Sequence, residues 1–190
     1  MPPSVTPRLR TGAPVRRHVP LLRVRLVMAR VAAALFIATV GAAFAPRARA
    51  DCWDVAANRY RLDPLLLYAI AQVESNLDLA ARNVNRNGTR DIGLMQINSI
   101  HLPHLAKYGV TERRLREDAC TSIITGAWIL AGFVQQFGYG WEAVGAYNAG
   151  TGQTRASLRK RYADKVRKRY AILVAERNRR LAQSAVAHRP

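Results

Sequence analysis

Apolar residues recur at helical spacing through the middle of this 190-residue chain, and the alternation that would mark strands is scarce. Asp63-Pro64 is a strong helix start, because Asp can cap free N–H groups and Pro costs nothing in a first turn. The helix it opens is predicted to run to about Leu77. Before it, "CWDVAANRYR" predicts a shorter helix. After it, "LAARNVNRNGTRDIG" is polar and rich in Asn and Gly, and is predicted to be loop. "LMQINSIHLPHLAKYG" predicts a turn and a short helix ending at Gly109. In "TSIITGAWILAGFVQQFG", Ile123, Ala127, Leu130, Ala131 and Val134 share one face, and Gly138 marks the end. "WEAVGAYNAGTG" predicts a short helix closed by glycines. A last helix places Leu158, Tyr162 and Val166 at intervals of four and loses its apolar face beyond about Ala175. The pattern predicts an all-α domain with short connections, large enough to bury a core.

Charge divides the chain. Residues 1–50 hold nine Arg and no acid, residues 51–150 are nearly neutral, and residues 151–190 hold twelve basic and two acidic residues. The net charge of +18 therefore sits at the two ends. A basic start, an apolar run from Val31 to Ala45 and Ala48-Arg49-Ala50 follow the order of a secretory signal, with cleavage expected after Ala50. The run falls short of the roughly 20 residues of a spanning helix. An uncleaved membrane anchor is the alternative; the signal reading leaves no stable membrane span in the mature chain. Residues 1–27 are rich in Pro and Arg without helical period, so Met28 is the expected true start. The expected organisation is thus an extension and signal over 1–50, a domain over 51–175, and a basic, disordered tail over 176–190. Export argues against a nucleic-acid partner, and no reader motif is present. In an oxidising compartment the two cysteines, Cys52 and Cys120, are expected to pair as a disulfide. They make no recognisable zinc set, and no metal or cofactor is expected. His101 and His104, either side of Pro103, are expected at the surface.

One residue breaks the apolar pattern. Glu74 falls on the line through Leu67, Ile70 and Ala71. The commoner explanation for such a residue is a snorkelling or ion-paired side chain. Two further blocks, "GLMQIN" (93–98) and "AYNAG" (146–150), have bland readings as core packing and a helix cap. Taken together, "AIAQVESNLD", "DIGLMQIN" and "AYNAG" resemble the signature blocks of the lytic transglycosylases of the lysozyme-like superfamily, over roughly Asp51 to Tyr170. Cys52-Trp53, "DPLLLYAIA" and "GAWILA" look further like the small members that accompany secretion and conjugation machines. The resemblance implies a goose-type, SLT-like helical fold with a glycan-binding groove. It also implies an exported, periplasmic monomer acting on peptidoglycan glycan strands, with components of a secretion or conjugation machine as further partners.

Burial in an apolar cleft would raise the pKa of Glu74 and let it give up a proton and take one back in succession. The resemblance implies the activity of a lyase: cleavage of the MurNAc–GlcNAc β-1,4 bond with Glu74 as the sole catalytic acid and base, leaving a 1,6-anhydro-muramyl product. Most glycosidases need a second carboxylate; Asp78 and Asp91 are weak candidates. The resemblance assigns Ser75 to orient substrate or Glu74, and Met95 and Gln96 to line the groove. Tyr147 would hydrogen-bond near Glu74, Asn148 would hold local backbone, and Tyr162 would close the groove from the last helix, against a plain core-packing role. The charged loop "NVNRNGTRD" departs from the family pattern and bears on which sugars are held. Two alternatives stand beside the lyase: a lysozyme-like muramidase, and a non-catalytic protein that docks secretion components or an anionic surface through its basic tail.

Overall fold

The computed structural model describes residues 45–187, with side chains from residue 52 onward. The expected extension, the start at Met28 and the signal cut after Ala50 lie outside the residues whose side chains are described. The elements are α1 (Ala45–Tyr60), α2 (Pro64–Ser75), β1 (Arg82–Val84), β2 (Arg90–Ile92) and β3 (Ile97–Asn98). They are followed by α3 (Leu102–Leu105), α4 (Glu112–Glu117), α5 (Ala119–Phe137), α6 (Trp141–Ala149) and α7 (Ala156–Ala187). Short 3-10 turns flank α3 and precede α7. The domain is almost entirely helical.

The starts and stops follow the sequence chemistry. Asp63 caps α2 by accepting from the Leu65 N–H at 2.8 Å, Thr111 caps α4 and Asp118 caps α5. Beyond Ser75 the chain turns sharply, with Asn76 and Leu77 both left-handed. The core gathers Leu66, Leu67 and Ile70 of α2, Ile123, Ala127 and Leu130 of α5, Val144 of α6, and Tyr162 and Val166 of α7 around Met95 and Ile97. Cys52 of α1 and Cys120 of α5 are joined by a disulfide across 68 residues.

The structure departs from the sequence reading at four places. The polar loop after α2 folds into an antiparallel hairpin, with Arg82 opposite Ile92 and Val84 opposite Arg90, and β3 adds a third strand. These strands are two or three residues long, too short to show alternation. Residues 112–117 form α4, locked to the sheet by Glu112, which pairs with Arg90 at 2.8 Å and Arg82 at 3.4 Å. On α7, Leu158 is 40% exposed while its neighbour Arg159 is buried. Arg159 is satisfied there by Glu142 and by the Gly152 carbonyl at 2.8 Å. Finally, α7 continues as helix to Ala187 instead of dissolving after residue 175, with its last turns exposed.

Candidate functional site

A groove of about 460 Å³ opens along the hairpin, β3, the end of α2 and the end of α6. Its lining is mostly polar: Asn85, Arg86, Asn87, Thr89, Asp91, Gln96 and Asn98 on one side, Tyr147, Asn148 and Arg155 on the other. Ile97, Ile129 and His101 supply apolar surface, and Glu74 also reaches the groove.

Glu74 stands one residue before the end of α2, where the helix face changes from core to groove. Leu67, Ile70 and Ala71 on the same line have no exposed surface. Burial raises the Glu74 pKa from 4.5 to about 7, because the carboxylate loses water. The Tyr162 hydroxyl opposes this by donating to Glu74 Oε1 at 2.6 Å. The negative charge of Asp91 raises the pKa further, while the Asn148 side chain and Lys165 lower it. Near neutral pH the carboxyl is therefore close to half protonated. Such a group can donate a hydrogen bond or a proton to a sugar oxygen, and can accept one as the carboxylate.

The turn from Gly93 to Gln96 is held against this carboxyl from three sides. Ser75 Oγ donates to the Leu94 carbonyl at 2.7 Å. Tyr147 donates to the Met95 carbonyl at 2.8 Å. The Met95 N–H donates to Ser122 Oγ at 3.1 Å. Gly93 makes the approach possible: its φ is +72°, and a Cβ there would lie 2.1 Å from the Leu115 carbonyl oxygen. Gln96, at φ +48°, folds its side-chain amide back onto the Gly93 carbonyl at 2.8 Å. Burial raises the Tyr147 and Tyr162 hydroxyl pKa values well above the ordinary value, and Glu74 adds to both. Both phenols thus stay protonated donors.

The geometry sorts the expected residues. It brings Glu74, Gln96, Tyr147 and Asn148 to the groove and sets Tyr162 behind Glu74. Tyr162 is buried in the core and bonded to Glu74 at once, so packing and polar contact coexist there. Met95 does not line the groove. Its side chain is fully buried, in the space that a Cβ on Gly126 would need. Ser75 bonds the turn and the Ala71 carbonyl, not Glu74. Asp78 is exposed and caps a local turn through the Ala80 N–H. Asp91 faces the groove with its oxygens taken up by the Asn85 and Asn98 amides, at 3.0 and 2.7 Å. His101 is partly buried against Trp128, and burial, then His104, lowers its pKa; His104 is exposed and stacks on the same indole.

Sequence reasoning missed the Asn85–Thr89–Asp91–Asn98 network, Arg86, Arg155 and Ile129. The only signal for the network was the density of Asn in residues 83–98. No cluster of three or more His, Cys, Asp or Glu that could hold a metal occurs among the described residues.

Comparison with known proteins bears on what this site does. Residues 51–170 match the family model described as the transglycosylase SLT domain. The chain is 48% identical over 140 residues to the invasion protein IagB of Salmonella typhimurium, which covers 72% of this chain and 88% of that protein. It is 45% identical over 136 residues to the protein IpgF of Shigella flexneri, 70% of this chain and 90% of that one. An inactive mutant of the lytic transglycosylase Slt from Pseudomonas aeruginosa shares the fold with a TM-score of 0.57 at 23% identity. That match covers 70% of this chain and 25% of the other. A likeness at that identity carries the fold and not the activity.

These findings correct the expectation of an enzyme. IagB, matched over most of its length, is named for invasion. The solved structure of a lytic transglycosylase, at 23% identity, carries the fold alone. Against the expected lytic transglycosylase lyase, these relatives favour the non-catalytic alternative. By the family match over residues 51–170 and by identities of 45–48%, the chain belongs to the transglycosylase SLT domain family.

Proposed function

We propose that this protein is an exported, non-cleaving module that holds peptidoglycan glycan strands in its groove and places an invasion or secretion apparatus at the cell wall. The observation that carries the reading is the groove itself, lined mainly by amides and hydroxyls, with a carboxyl that leans to its neutral form, Asp91 and two guanidinium groups at its exposed rim. A sugar chain presents hydroxyls and acetamido groups, which amides and hydroxyls of this kind pair with. Tyr147 and Ser75 fix the backbone of the turn, so that Gln96 and Asn148 offer their amides from set positions. The hairpin network keeps the facing wall stiff. The Cys52–Cys120 disulfide fits a protein working in an oxidising compartment such as the periplasm. The likeness to IagB, an invasion protein, supports the link to an invasion apparatus.

The test is titration of the full chain with soluble glycan strands, followed by heteronuclear NMR. Shifts should concentrate at residues 74, 85–98 and 147–148. Asn148→Ala and Gln96→Ala, which remove groove-lining amides bonded to Glu74 and to the Gly93 carbonyl, should each weaken binding by about tenfold. Absence of saturable shifts in the groove would overturn the reading.

A further inference from the structure

We propose that Arg86 and Arg155 form a carboxylate-binding subsite in the groove, so that its ligand is a glycan strand bearing acidic peptide branches and not a bare one. This inference rests on the groove-binding reading above and names the ligand more closely.

Arg86 sits at the tip of the hairpin, which is closed by Asn85 N–H to Thr89 C=O at 2.8 Å and Gly88 N–H to Asn85 C=O at 2.9 Å. Arg155 ends the 3-10 turn before α7 and donates one guanidinium N–H to the Ala149 carbonyl at 3.1 Å. That bond anchors the side chain and leaves its other donors available. Both residues line the groove and both are exposed. Neither forms an ion pair among the described residues, whereas Arg82 and Arg90 on the same hairpin are both held by Glu112.

The acids of the groove do not balance them. Asp91 is taken up by Asn85 and Asn98, and Glu74 leans to its neutral form. Two guanidinium groups thus line the groove from two elements without an ion-pair partner among the described residues. An uncharged sugar needs no such pair. A carboxylate does, because guanidinium binds it through parallel charge-assisted hydrogen bonds. In peptidoglycan every second sugar carries a lactyl ether linked to a short peptide with free carboxylates. The branches supply the missing anion on the polymer that the groove is proposed to hold.

The test compares intact glycan strands with strands of matched length stripped of their peptides by an amidase, each titrated calorimetrically into the full chain at low and high salt. Intact strands should bind about tenfold more tightly at low salt, and the advantage should shrink at high salt. The double variant Arg86→Gln, Arg155→Gln should lose the preference, and Arg86→Lys, Arg155→Lys should restore part of it. Equal binding of bare and intact strands by the wild type, or a preference that survives in the double Gln variant, would overturn the subsite and leave the groove reading in place. Failure to bind either strand would overturn both.

Discussion

At Glu74 burial and charge oppose each other. Its pKa is 4.5 in the unfolded chain and about 7 in the fold. Between those values the folded protein keeps a proton that the unfolded chain has lost, so stability falls as pH rises through this window. At about 1.4 kcal/mol per unit, the loss approaches about 3 kcal/mol above pH 7. Urea unfolding at pH 5 and pH 8 should show that decline in the wild type and not in Glu74→Gln, which stays neutral throughout. Tyr162→Phe removes a hydrogen bond that lowers the Glu74 pKa. The carboxyl titration followed by carbon-13 NMR should therefore move upward in that variant. The oddity of Glu74 was legible in the chain, since a carboxyl on an apolar line announces itself. Its partners were not. Tyr162 lies 88 residues away, and no local period says that its hydroxyl, and not only its ring, is used.

The turn between β2 and β3 decides the shape of the groove more than any helix does. It is built on Gly93, where a side chain would meet both a left-handed φ and the Leu115 carbonyl. Gly93→Ala should cost about 3 kcal/mol in chemical denaturation. It should also weaken glycan binding, because Leu94 and Met95 present the carbonyls that Ser75 and Tyr147 hold. Helices of this domain were readable from spacing and caps, as Asp63, Gly109 and Gly138 illustrate. The turn was not. In four residues without a period, nothing distinguishes a side chain that enters the core, as Met95 does, from one that faces the groove, as Gln96 does. Arg159 posed the opposite problem. It looked like one more basic residue of a solvated helix, yet Glu142 and two glycine carbonyls from the preceding turn make its burial tolerable.

Across the whole molecule, stability concentrates in the body formed by α1, α2, α5, α6 and the first half of α7. The disulfide between α1 and α5 closes a long loop, and the chain-entropy model gives it about 4 kcal/mol. Cys52→Ser with Cys120→Ser should lower the denaturation free energy by about that amount. The far end of α7 adds little: beyond Val174 its side chains are nearly all exposed, and a helical overhang without packing is marginal in water. A stop after Ala175 should leave the melting temperature essentially unchanged, and amides of residues 176–187 should exchange fast in the intact chain. The basic ends drew attention in the sequence, but apart from Arg155 the groove is lined by residues of the nearly neutral middle block. On the proposed reading, its selectivity is set by Arg86 and Arg155, which have no ion-pair partner among the described residues.

The central claim is that this groove holds glycan strands without cutting them. Purified sacculi incubated with the full chain test it most directly, with protein measured in the pellet and sugar fragments weighed by mass spectrometry in the supernatant. The account predicts saturable retention of the protein on the pellet and no muropeptides released above the protein-free control. Soluble fragments with anhydro or reducing ends, absent when Glu74→Gln replaces the wild type, would contradict it.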